Sequence, residues 1–362
     1  MTDTGEPCIL YGELYTKYKS EVISDIFSKT DIDTRKLVKS KANDVIIPCS
    51  GETAVDIATA RCVPYDNILL GGDLNIIRLY DCDGSFMSYQ LNGKRKYDLA
   101  KVAQGVSVVH LYGDHLKGVK TYNPCLEEQK KIAKLLSLLD ERIATQNKII
   151  DKLQSLIKGL NDALYAQHGD EVMTSFAELG TSYSGLSGKS AQDFGSGKPF
   201  ITYLNVYSNN VINENDFQYV AIKDGEKQNI VEYGDVLFTL SSETPNEVGI
   251  GSVYLGKEKV YLNSFCFGIH ITNTKVAFSP YLSYYVSSTA FRKFIYPYAQ
   301  GSTRFNLCKA DFEKASIKLP TLENQKRIYS ILSHIDNKII TERQMHDLYN
   351  SQKQYLLRQM FI

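Results

Sequence analysis

The sequence predicts an α+β protein of two α/β lobes, each followed by a long helix, with the two helices pairing as an antiparallel coiled coil. Three observations carry this. The chain repeats itself once, two segments hold sustained heptad patterns, and the remainder alternates short β-like runs with turn residues.

The repeat is plainest in the helices. LEEQKKIAKLLSLLDERIATQNKIIDKL from Leu126 faces LENQKRIYSILSHIDNKIITERQMHDLY from Leu322 at an offset of 196. The offset holds upstream, where AQGVSVVHL from Ala103 faces AQGSTRFNL from Ala299, and residues 103–153 share 16 identities with 299–349. Nearer the start it drifts to about 191, aligning DVIIPCSGET from Asp44 with DVLFTLSSET from Asp235, and CILYGELY from Cys8 faces FITYLNVY from Phe200. A solenoid unit runs roughly 20–50 residues. The far longer period here reads as a duplicated lobe-plus-helix.

The order that follows is a first lobe over 1–123, a central long helix over 124–168, a second lobe over 169–319 and a C-terminal long helix over 320–362. Within the lobes VIIPCS, NILLGG, LNIIRLY, DVLFTL and VYLNSFCFGIHIT read as strands, and 93–105 and 281–298 as short helices. Pro124 and Pro320 precede the long helices, and Glu127 and Glu323 fall in their first turns, where a carboxylate suits the helix dipole. The first helix carries Ile132, Leu136, Leu139, Ile143, Gln146, Ile150, Leu153, Ile157, Leu160 and Leu164 in alternating steps of four and three, a heptad seam. In the second, Ile328, Leu332, Ile335, Ile339, Tyr349, Leu356 and Met360 keep the frame, interrupted by Glu342, His346 and Lys353. A helix of roughly 60 Å, at 1.5 Å per residue, cannot bury such a stripe against one small lobe. The Gly- and Ser-rich stretch 168–198 reads as the entry into the second lobe.

Composition narrows the function. The 362 residues suit about two domains. With 43% apolar and 23% charged residues, a disordered or collagen-like chain is excluded. Lys+Arg and Asp+Glu cancel at 41 each, so binding to nucleic acid would need local basic patches. No run reaches the roughly 18 apolar residues of a membrane span, and MTDTGEPCIL lacks a secretory pattern. Seven cysteines without a CxxC pair suit a reducing cytosol and give no zinc template. The expected location is cytoplasmic.

No cofactor is expected. GIGSVYLG at 249–256 has its third glycine misplaced for a dinucleotide loop and reads as a turn. There is no GxxxxGK[ST] and no HExxH. Glu52 and Glu243 recur in S-G-E-T and S-S-E-T, as loop-fixing residues or base contacts.

P-C-L-E-E-Q-K-K-I (124–132) and P-T-L-E-N-Q-K-R-I (320–328), each opening a long helix after a variable lobe, resemble the specificity subunits of type I restriction–modification systems. So do the Q-G segments AQGVSVVHL and AQGSTRFNL, and the resemblance covers essentially the whole chain. It implies a non-catalytic protein whose lobes are target recognition domains, each reading one half of a split double-stranded DNA sequence. The helices would hold the lobes apart and set the unread spacer. Two modification (methyltransferase) subunits would dock on it, and restriction (endonuclease/translocase) subunits would join indirectly. The alternative is a truncated or silent cassette acting only as a coiled-coil interaction scaffold. One departure stands out: SFAELGTSYSGLSGKSAQDFGSGK (175–198) has no counterpart ahead of Pro7. The first lobe is therefore expected to be clipped at its start and to lack a strand or edge, leaving the second to carry most DNA binding.

The candidate DNA contacts are Lys94, Arg95, Lys96 and Lys101 in the first lobe and Arg292 and Lys293 in the second. These would neutralise phosphates, or simply form solvated helix faces. Gln104 and Gln300 could pair with adenine and Arg304 with guanine, accompanied by Ser107, Ser302 and Thr303. Gly105 and Gly301 would allow a sharp turn or close approach to phosphate, or else cap a helix.

Overall fold

The computed structural model describes residues 4–33, 37–169 and 171–361, so Asp170 of the Gly/Ser-rich stretch and the terminal Ile362 lie outside it. The chain divides into two compact units, Met1–Ile150 with Thr341–Ile362, and Asp151–Ile340. Both boundaries fall inside long helices, so each unit is a lobe plus part of each helix.

In the first unit a four-stranded sheet of order β2-β1-β7-β3 combines β1 (Glu6–Ile9), β2 (Ser28–Thr30), β3 (Val38–Lys39) and β7 (Leu69–Leu70). A second sheet, β6-β4-β8, is centred on β4 (Asp44–Pro48) between β6 (Arg61–Val63) and β8 (Leu74–Ile77). Every residue of β4 is buried, which explains its nearly continuous apolar run. A two-stranded ladder joins β5 (Ser50–Gly51) to β9 (Val109–His110). Helices α1 (Glu13–Thr16), α2 (Ala54–Ile57), α3 (Gly84–Asn92), α4 (Lys96–Val102) and α5 (Gly113–Leu116) fill the connections. Thr53 caps α2 and Asp83 caps α3, each accepting a backbone N–H three residues on.

The second unit repeats this plan. Its main sheet, β11-β18-β14-β16, contains β11 (Gly180–Ser184), β14 (Val236–Thr239), β16 (Gly251–Val253) and β18 (Cys266–Ile271). A second sheet, β13-β12-β17, contains β12 (Phe194–Ile201), β13 (Gln218–Val220) and β17 (Tyr261–Leu262). β10 (Val172–Thr174) pairs with β21 (Ile317–Leu319). β15 (Ser241–Ser242), β20 (Phe305–Leu307) and β19 (Ala299–Gln300) form a third small sheet in that order. The GIGSVYLG stretch turns at Gly249 (φ +63°) and runs into β16.

Strand register shows the correspondence. Val45 faces Ile77 and Ile47 faces Asn75 across β4 and β8, just as Val236 faces Ile269 and Phe238 faces Phe267 across β14 and β18. The units differ at one edge. β18 has a second neighbour, β11, whereas β8 ends its sheet. Ahead of β11, α7 (Phe176–Leu179) drives Phe176 and Leu179 wholly into the core, with Phe176 5.4 Å from the Phe238 ring and 5.2 Å from Phe312. Among the described residues the first lobe has no counterpart of α7 and β11.

The long helices are α6 (Leu126–His168) and α12 (Leu322–Gln359). In the first unit Ala133 and Leu136 share a cluster with Leu357 and Phe361, while Gln146 donates to the Glu342 carboxylate. In the second, Leu160 and Leu164 enter one core with Ile328 and Leu332, and Asn324 meets His168. Rising numbers on one helix meet falling numbers on the other, so the helices pack antiparallel, as the heptads predict. Every seam residue from Ile132 to Leu164 is buried or half-buried. Two of the polar breaks in the second seam are also enclosed, since Glu342 meets Gln146 and Lys353 lies between Glu21 and Asp140, while His346 is half-buried.

The glutamine of each P-x-L-E-x-Q motif joins helix to lobe. Gln129 is buried, donates to Pro124 O at 2.7 Å and accepts from Asp83 N at 2.8 Å. Gln325 likewise donates to Pro320 O and Val276 O and accepts from Phe278 N, each at 2.8 Å. One amide thus satisfies backbone groups on both sides of the junction, which a carboxylate cannot do. Tyr89, donating to Asp140 at 2.6 Å, and Tyr284, donating to Asp336, add a second repeated junction.

Candidate nucleic-acid interface

In each lobe the S-x-E-T turn and the Q-G segment lie far apart in sequence but share one small sheet. Ser50 faces His110 and Gly51 faces Val109, and a bridge from Gln104 to His110 closes the Q-G hairpin. In the second lobe Ser241 faces Asn306, Ser242 faces Phe305, and Gln300 also faces Asn306. The tips bring Glu52, Gln104 and Ser107 to one exposed edge, and Glu243, Gln300, Ser302, Thr303 and Arg304 to another.

Gly105 and Gly301 are what allow the hairpins. Their φ angles are +127° and +140°, a region open chiefly to glycine. A Cβ on Gly105 would sit 2.1 Å from Val108 O, and one on Gly301 2.1 Å from Arg304 O. The helix-cap alternative is ruled out, because α4 ends at Val102 with Ala103 as its cap and α10 (Thr289–Ile295) ends well before Gly301. Gly301→Ala is expected to cost the hairpin about 1–3 kcal/mol in backbone strain and to open its ladder. Hydrogen exchange at Asn306 and Leu307 should then accelerate while the α6 amides stay protected.

Arg304 is exposed yet oriented. One guanidinium nitrogen reaches Ser241 Oγ at 3.3 Å, and the group lies 6.0 Å from the Phe265 ring centroid. Phe265 is 57% exposed, an aromatic face beside a basic residue on the same edge. Sequence reasoning missed it, because a lone Phe in N-S-F-C-F reads as strand interior.

The basic candidates separate in the structure. Lys94, Lys101 and Lys293 are exposed. Arg95 is half-buried and paired with Asp98 at 3.5 Å. Lys96 is half-buried, and burial, then the Arg61 charge, lowers its ammonium below the ordinary lysine range. Arg292 is committed elsewhere: its guanidinium donates to the carbonyls of Asn246, Val248 and Gly249 at 2.7–2.8 Å and holds that turn in place. Burial lowers its pKa. Lys94, Lys101, Lys293 and Arg304 thus face solvent. Among the described residues no group of three His, Cys, Asp or Glu could hold a metal ion, and no helix is long and apolar enough to cross a membrane.

The family described as the type I restriction modification DNA specificity domain matches the chain twice, over residues 10–155 and 184–347. The type I restriction enzyme MjaVIII specificity subunit of Methanocaldococcus jannaschii is 25% identical over 354 residues, covering 92% of this chain and 81% of that protein. Among solved structures, the type I restriction–modification S subunit from M. genitalium superposes with a TM-score of 0.56 at 16% identity, covering 99% of this chain and 92% of that one. A chain from a study of complex assembly and conformational transition in a type I R-M system gives 0.55 at 17% identity, covering 88% and 81%. At these identities the two structures speak for the fold.

Proposed function

This chain belongs to the type I restriction modification DNA specificity family, and from that premise we propose how it works: each Q-G hairpin, with its neighbouring S-x-E-T turn, reads one half of a split duplex sequence. The repetition of that edge in both units carries the reading. Gln104 and Gln300 can each pair an amide N–H with adenine N7 and the amide oxygen with its N6 amino group, while Arg304 offers two parallel donors to guanine N7 and O6 in the major groove. Lys94, Lys101 and Lys293 anchor phosphates without reading sequence. Arg292 and Arg95 support the lobes from within. The protein itself is non-catalytic, and modification subunits, two per chain, act on the DNA that it selects, with restriction subunits joining through them. The lobes run over 1–123 and 169–319, with 124–168 and 320–362 as the spacer helices.

The paired helices act as the ruler between half-sites. Inserting one heptad in each lengthens that ruler by roughly 10 Å at 1.5 Å per residue, close to three base-pair steps of 3.4 Å. The unread spacer should grow by about that amount while both half-sites stay unchanged. Altered half-sites with an unaltered spacer would contradict the ruler. Affinity for duplex DNA should fall steeply with salt as released counterions are returned. Salt-independent association, or none, would favour the protein-scaffold alternative.

A further inference from the structure

The first lobe carries a pocket of about 270 Å³, apolar on one side and polar where Thr121 and Asn123 line it. Ile47, Ile77, Met87, Leu91, Leu99 and Leu116 form its apolar wall. Apolar cavities of roughly 150 Å³ already admit a benzene ring, so this one has room for a phenyl group.

The second lobe shows what such a pocket receives. By the registers above, Ile47 corresponds to Phe238 and Ile77 to Ile269, and the offset of 196 places Leu116 at Phe312. Phe238 and Phe312 are the rings that Phe176 packs against. Beyond Phe176 and Leu179 the chain becomes β11, whose Ser182 faces Ile269 of β18. In the first lobe the counterpart of β18 is β8, which ends its sheet and is half-buried throughout. An open apolar pocket and an unpaired strand edge therefore lie together at the position where the second lobe seats one continuous segment. The match stops upstream of that segment. Ile317 and Leu319, which pair with β10, are replaced by exposed Thr121 and Asn123.

We infer that the first lobe is an acceptor for a peptide segment of the Ser175–Ser184 kind: a capped turn carrying Phe and Leu at i and i+3, followed by a strand. The aromatic anchor enters the pocket beside Met87 and Leu116, and the strand extends the sheet along β8. Main-chain hydrogen bonds would give affinity and the two apolar anchors selectivity, the general logic of strand addition. Covering the edge also removes a template for self-association.

The test uses the full chain and a fluorescent synthetic peptide with the sequence of residues 174–186. Saturable binding is expected, with slowed hydrogen exchange at the outward-facing β8 amides. The same peptide with Phe176→Ala should bind roughly a hundredfold more weakly, the scale of losing a buried phenyl ring. Equal binding of a scrambled peptide, no binding at millimolar concentration, or protection that spares β8 would each overturn the proposal. Protection of β8 that rises with protein concentration alone, alongside a dimer in sedimentation, would overturn it in favour of a second copy as the occupant. None of these readouts involves DNA, so they stand apart from the half-site reading.

Discussion

Replacing Lys353 with methionine is expected to destabilise the first unit by about 3–5 kcal/mol, the scale of removing one partner from a buried charge network. Lys353 Nζ lies 2.5 Å from both Glu21 and Asp140, and all three side chains are nearly inaccessible. Asp140 also accepts from Tyr89 at 2.6 Å and Ser20 at 2.9 Å. Without the cation two carboxylates face each other in a low-dielectric site. Adding Glu21→Gln should recover part of the loss, because one uncompensated charge then disappears. Burial alone would lower the Lys353 pKa, but Glu21 and Asp140 outweigh it and hold the ammonium above its ordinary value of 10.5. A raised lysine contributes stability that is fully present below the unfolded-state pKa and lost as pH climbs through the folded-state one. The native–mutant gap in a urea titration should therefore narrow in strong alkali, where Lys353 loses its proton, and also on acidification, where the two carboxylates left behind in the mutant take up a proton and shed their repulsion.

Leu332→Ala should cost about 2–5 kcal/mol by the loss of buried methylene groups and the cavity left behind. Leu332 is fully enclosed in the second core with Phe312 and Ile328. Leu136→Ala should cost a similar amount in the first, where Leu136 meets Phe86 and Leu357. Leu139 and Leu153 occupy the same seam but are only half-buried, so their truncation should fall below that range. Thermal unfolding of the four single variants separates enclosed from half-covered seam positions. Equal small shifts across all four would mean that the helices do not share a packed seam.

The contrast between these leucines shows what the sequence could and could not disclose. Heptad spacing marks which side of a helix faces inward, and the seam from Ile132 to Leu164 lies inward in the structure. Spacing does not say how deeply a position is covered, because that depends on whether a lobe residue closes over it, as Phe86 does beside Leu136. The partners of the polar breaks were invisible for the same reason. Lys353 looks like a flaw in the seam until Glu21, more than three hundred residues away, is placed beside it. The duplication was legible because identity at a constant offset needs no three-dimensional information. The small sheets joining Ser50 to His110 and Ser241 to Asn306 were not, since no local pattern pairs two-residue strands. Among the basic residues, sequence gave charge without direction. Arg292 turns inward to three carbonyls while Lys293, its neighbour, faces out.

The central claim is that two equivalent edges read two separated half-sites. Selection from random duplex DNA by the chain assembled with the modification subunits proposed for it, followed by sequencing of the bound fraction, tests this most directly. The account predicts two short motifs separated by a gap of fixed length and no sequence preference. Arg304→Ala should relax one motif, at a cost of about 1–3 kcal/mol for the affected base, and leave the other and the gap untouched. A single contiguous motif, or an Arg304→Ala change that weakens all sequences equally, would contradict it.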